Sequence, residues 1–211
     1  MRRVLTWHAR AGEVGLLLLK LHLLWVAWSL AGGIVLGVFP ATAAVYGVIR
    51  GELLQPGAPR EFRRLWRQEF RTANVVGYVF LAAWAVLLLD RRLLETADLG
   101  VVEPLLGAVL WLVMLFVSGM TANIWILAAH FDEGPGALVR RSAILVLARP
   151  VQALVTLLVV GVILCAYYVV PGLVPVFGVA VPAFASFAYV WGTAVLPRAP
   201  GSFHDTPLGT P

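Results

Sequence analysis

Six long apolar stretches divide this chain, at about residues 12–31, 34–50, 74–90, 104–129, 150–170 and 173–195. A bilayer core about 30 Å thick is crossed by a helix of roughly 20 apolar residues, within a range of about 17–25. Four of the stretches meet that length comfortably; the first two need an argument. Of the 211 residues, 61% are hydrophobic and 13% charged, against about 45–50% and about 25% in a soluble domain. A soluble fold of this size has no interior large enough to hide so much apolar surface, so lipid is the solvent for most of it. The expected fold class is all-α. One polytopic membrane helix bundle covers residues 1–196, followed by a disordered cytoplasmic tail at 197–211, PRAPGSFHDTPLGTP, which has no period and no core to join.

The N-terminus is basic and then apolar, as a signal peptide is. Its apolar part is too long, and no small-x-small site precedes a soluble domain, so it reads as a retained first span. Cys165 has no intrachain partner and reads as a small buried apolar residue.

Whether residues 12–50 form one span or a hairpin of two is decided by the arginines. Of the 16 basic residues, 15 are arginine, and the net charge is +5. Cytoplasmic loops carry the excess of basic residues. A hairpin turning at Gly32-Gly33 puts every arginine except Arg91 and Arg92 on the cytoplasmic side, and both ends of the chain there too. This predicts six transmembrane helices in the cell membrane, with five as the alternative. Pro40, in the second stretch, removes a backbone donor and kinks its helix. The freed carbonyl must find a partner on a neighbour, so this segment is expected to face protein.

REFRRLWRQEFR, residues 60–71, places five arginines between apolar runs. At about 100° per residue, Phe62, Leu65, Trp66 and Phe70 share one side. Arg60, Arg63, Arg64, Arg67 and Arg71 share the other. This predicts an interfacial basic amphipathic helix between the second and third spans. It anchors the loop, or it docks an acidic lipid or a cytoplasmic partner. Nucleic acid is not expected, since no recognition module is visible and the basic segments flank spans.

TAAVYGVIR (42–50) and TANIWILAA (121–129) share a Thr-Ala start and an aromatic four residues after the Thr, Tyr46 and Trp125. They hint at a parallel internal repeat. Polar groups within the stretches are Lys20, His22, Thr42, Asn74, Thr121 and Asn123. Intramembrane ionisable groups are functional candidates, while uncharged ones most often join helices. No catalytic motif, metal spacing or cofactor motif is present, and His130, Asp132 and Glu133 read as a helix edge rather than a metal site. No enzyme is expected.

The segment LHLLWVAWSLAGGIVLGVFPATAAVYGVIR, with REFRRLWRQEFRTANVVGYVFLAAW after it, resembles the YesL-like family of bacterial membrane proteins, a family of unknown function. Phe39, Pro40, Thr42, Ala43, Tyr46, Phe62, Phe70 and Asn74 carry the resemblance. It implies a polytopic membrane protein, often found beside carbohydrate importers and polysaccharide-degrading enzymes. The expected function is a non-enzymatic accessory protein, associated with a carbohydrate uptake system and docking a partner or acidic lipid through its arginine helix. The alternative is a small transporter or channel with a polar path near Lys20, His22 and Asn123. The sequence leaves the oligomeric state open.

Overall fold

The structure, a computed structural model, describes residues 2–52, 58–97 and 100–193; of residues 2–11, 52, 58 and 59 only the helical backbone is described. Among the described residues there are helices and no strands. They are α1 (Arg2–Ala31), α2 (Val38–Glu52), α3 (Ala58–Gln68), α4 (Phe70–Thr96), α5 (Glu103–His130), α6 (Pro135–Ala148), α7 (Pro150–Val169), α8 (Val174–Phe177) and α9 (Ala180–Gly192). Prolines open several of them, at Pro104, Pro135 and Pro150, where the missing N–H is no loss. The expected tail at 197–211 lies outside the described residues.

The chain reverses at the glycine pair. Gly33 and Ile34 both take left-handed backbone, with φ of 70° and 64°. Ile34 does so at a cost of about 1–2 kcal/mol. Gly37 lies against the Ser29 backbone so closely that a Cβ there would overlap it, which closes α1 and α2 into a tight antiparallel hairpin. Pro40 is the third residue of α2, so it does not kink a continuous helix. The reversal is the 32–37 turn itself. Pro40 still leaves the Leu36 carbonyl without its helical donor, and α4 supplies one. Asn74 Nδ2 donates to Leu36 O at 3.0 Å, and Tyr78 Oη donates to Val35 O at 2.6 Å. Gly77 makes the contact possible, because any Cβ there would overlap the Phe39 ring.

α2 is the centre of the molecule. Ala41, Ala44, Val45 and Val48 have no exposed surface. α1, α3, α4, α5 and α9 all pack on it. At 15 residues it is about 22 Å long, short of a crossing. Among the described residues four helices are long and apolar enough to cross a membrane, and a fifth counts if Pro171–Phe177 and Ala180–Gly192, bent by 74°, form one span. Against the six spans expected, with five as the alternative, the described residues give four or five candidates. The second stretch is apolar because protein surrounds it.

α3 corrects a second expectation. Its aromatic side does not lie open to lipid. Phe62 is fully buried, Trp66 packs on Trp28 with ring centres 5.1 Å apart, and Leu65 lies over Gly47 of α2. Gly47 carries no side chain, so the two helices close on each other. α6 folds back along α5 in a similar way. Leu138 is 1% exposed, Ser142 Oγ donates to Met120 O at 3.0 Å, and Val146 lies against Gly119. Arg141 holds the intervening turn through two hydrogen bonds to Glu133, at 2.7 and 2.6 Å. Cys165 is exposed rather than buried, on a side of α7 that nothing covers.

Asn74→Leu keeps the side-chain volume and removes the donor to Leu36. The expected loss is about 1–3 kcal/mol, the cost of a buried carbonyl left unpaired. It is read as a lower melting temperature of the detergent-solubilised protein, whereas Val75→Leu on the exposed side of α4 leaves the melting temperature unchanged.

Candidate functional site

Two Trp–Thr pairs line a large cavity among the described residues. On the first hairpin, Trp25 Nε1 donates to Thr42 Oγ1 at 3.0 Å; on the α4–α5 hairpin, Trp84 Nε1 donates to Thr121 Oγ1 at 3.2 Å. Each threonine hydroxyl in turn donates to the carbonyl four residues back, Val38 O and Val117 O, both at 2.8 Å. These are the threonines that open the two similar nonamers. All four side chains line one cavity of about 740 Å³.

His22 and Tyr46 complete the wall from α1 and α2, and Tyr167 does so from α7. His22 stacks on Trp25, with centroids 5.8 Å apart and 13° between planes. Its other face lies on Gly178, where a Cβ would overlap the ring. Tyr167 Oη donates to Gly178 O at 3.0 Å, and Tyr46 Oη pairs with Ser186 Oγ at 3.4 Å. His22 is 4% exposed and its Nδ1 has no partner.

The structure brings His22, Thr42 and Thr121 together, and separates the other intramembrane polar residues from them. Lys20 is on an exposed face of α1. Asn123 has no exposed surface, and its Nδ2 donates to Gly119 O of its own helix at 2.9 Å. Neither Lys20 nor Asn123 lines the cavity that holds His22. Asn74 belongs to the hairpin turn. Sequence reading missed Trp25, Trp84, Tyr167 and Gly178. The paired Thr-Ala segments were the available signal, since each threonine receives a tryptophan from the preceding helix.

The second feature is the basic ridge. Arg60, Arg63, Arg64 and Arg67 of α3 and Arg71 of α4 are all exposed. Arg64 is paired with Glu61; among the described residues the other four carry no ion pair. Phe70 stands edge-on to Trp66, 5.0 Å away.

Behind the ridge, α2, α3 and α5 enclose a smaller polar pocket of about 300 Å³. Arg50 reaches across it to donate to Ala129 O, in the last turn of α5, where a cation is favoured by the helix dipole. Glu69, at the break between α3 and α4, lines the same pocket with Asp132. Burial, and then the Asp132 charge, raise the Glu69 carboxyl above its ordinary range. His130 stands against Phe131 and Trp191, and Glu133 is engaged by Arg141, so His130, Asp132 and Glu133 do not converge.

A family described as "Protein of unknown function, DUF624" matches residues 18–91, from within α1 to within α4. Three relatives come from Bacillus subtilis (strain 168). Uncharacterized protein YteU is 30% identical over 176 residues, which are 81% of this chain and 77% of the relative. Uncharacterized protein YesL is 29% identical over 137 residues, 64% of each chain, so the match spans just under two thirds of that relative. Uncharacterized protein YesV is 25% identical over 158 residues, 74% of this chain and 76% of the relative. No solved structure matches.

A carboxyl raised in the folded state stabilises the protein at low pH, and that stability is lost as pH rises through the folded pKa. Glu69→Gln is therefore expected to melt higher than the native protein at neutral pH. The difference should close as pH falls toward the ordinary carboxylate range. Melting curves of both proteins from pH 8 to pH 4 check the sign.

Proposed function

The chain belongs to the YesL-like DUF624 family, and from that premise we propose that it is a non-enzymatic accessory membrane protein that docks an acidic cytoplasmic protein surface on its arginine ridge. One observation supports this reading. α3 packs its apolar side on α2 and α1, and leaves its own Arg60, Arg63 and Arg67, with Arg71 at the start of α4, exposed and unpaired among the described residues. A helix that binds lipid in the interface plane uses its apolar side to do so. Here that side is occupied by protein, so what α3 offers outward is charge. Guanidinium groups match carboxylates in paired, planar hydrogen bonds, and an acidic protein surface is the complementary occupant.

In this reading the ridge is cytoplasmic, the side on which loops carry an excess of basic residues. The partner is a component of a carbohydrate import system, which is what the resemblance implies.

The test is copurification from crosslinked native membranes. A stoichiometric acidic partner is expected with the native protein, and about 0.5 M salt added before crosslinking should reduce its recovery, because exposed charge pairs are screened. Arg63→Glu with Arg67→Glu should reduce its recovery tenfold or more at unchanged protein level, since both side chains are exposed. A partner retained by the doubly reversed protein overturns the reading. Recovery of anionic lipid alone, with no protein, replaces it by lipid docking.

A further inference from the structure

We infer that the cavity between the two Trp–Thr pairs binds a bilayer-soluble amphiphile, an apolar body carrying one hydroxyl or carboxyl head group seated at His22. The inference rests on which polar groups in the wall are already satisfied. Thr42 and Thr121 each donate to a backbone carbonyl and accept from a tryptophan. Ser118 donates to Met114 O at 2.7 Å. Tyr167 donates to Gly178 O, and Tyr46 is paired with Ser186. These groups are polar in name, but they have little left to offer a ligand.

His22 is the exception. It is buried, it lines the cavity, and it makes no hydrogen bond among the described residues. A ring nitrogen left unpaired in an apolar wall is costly. A water needs about 2–4 polar partners to be held in such a site, and His22 supplies too few. An alcohol or a protonated acid with an apolar chain satisfies both conditions: its head pairs with the imidazole, and its chain fills the rest.

The size and the opening fit this occupant. About 740 Å³ lies within the range of pockets that enclose a small ligand, about 300–1,000 Å³. The rim carries Tyr168, 88% exposed, and Leu164, 54% exposed, both on α7. α7 is one of the helices long and apolar enough to cross a membrane, so the mouth opens where lipid lies. Gly178 sets the site, because its bare Cα lets the His22 ring lie flat.

The test uses palmitic acid carrying a photoactivatable diazirine, with the full-length protein in liposomes. Labelling is expected on peptides spanning Leu21–Trp25 and Leu157–Tyr168. Excess palmitic acid or hexadecanol should compete, and hexadecane, which lacks a head group, should compete about tenfold less well, the difference a single well-made buried hydrogen bond can produce. His22→Leu should cut labelling by a similar factor while His22→Gln keeps most of it. Gly178→Ala, which displaces the ring without changing it, should behave like His22→Leu. Melting temperatures establish that each variant is folded. Labelling that no competitor reduces, or that falls equally on the exposed Leu89 of α4 and Leu105 of α5, means annular lipid only and overturns the inference. Equal competition by hexadecane overturns the role of His22.

Discussion

An unpaired peptide group in a dry interior is costly, and the packing around α2 is arranged to avoid that cost. The helix is short, central and sealed from solvent, so the groups at its two ends have to be satisfied by other helices. At its start, Pro40 frees the Leu36 carbonyl, and Asn74 and Tyr78 of α4 reach over to the turn. At its other end the donation runs the opposite way, and Arg50 of α2 satisfies a carbonyl in the closing turn of α5. One helix is thereby tied at opposite ends to two long helices, α4 and α5. The position of α4 and α5 follows from where those ends lie.

Close approach does the rest. Gly37 admits the α1 backbone, Gly47 admits Leu65 of α3, and Gly77 admits the Phe39 ring of α2. A side chain at any of these points holds a neighbour away from α2 and opens its surface. The same contacts explain the fate of the arginine helix. Once Phe62 and Leu65 are locked against α2, α3 has one orientation only. Its guanidinium groups then form a fixed ridge and not a floating charge cloud. A fixed array of donors loses less freedom when it meets a partner than a mobile one does.

The helical, membrane-type character was legible because apolar runs of span length have few other meanings. The turn at Gly32-Gly33 was legible as a glycine pair between two apolar runs. The need of the Leu36 carbonyl for a neighbour could be argued from Pro40 alone, although Asn74 could not be named as its partner. Crossing number was not legible. An apolar stretch records removal from water, and α2 is removed from water by protein while α7 is removed by lipid. The same ambiguity hid the role of α3. An amphipathic pattern fixes which side is buried, but it is silent on whether lipid or protein buries it. Among the intramembrane polar residues, Lys20, His22 and Asn123 were grouped in sequence along one candidate path. Only the packing separates an exposed lysine, a cavity histidine and an asparagine closed on its own helix.

The cavity carries this argument one step further. Counting polar residues suggests a wet site, with His22, Thr42, Tyr46, Ser118, Thr121 and Tyr167 all on its wall. Counting unsatisfied groups gives a different result, because a hydroxyl that already donates to a carbonyl and accepts from an indole has little affinity left for water. Such a wall behaves as an apolar one, and the two Trp–Thr pairs have a mainly mechanical role: they hold an aromatic ring from each hairpin at a fixed distance from the other. The polar pocket behind α3 is the opposite case. Arg50, Glu69 and Asp132 bring charge into a smaller space, and there the carboxyl responds by holding its proton more tightly. One bundle therefore contains two kinds of interior. The larger one can distinguish ligands only through His22, since that is where an unused hydrogen-bonding group remains.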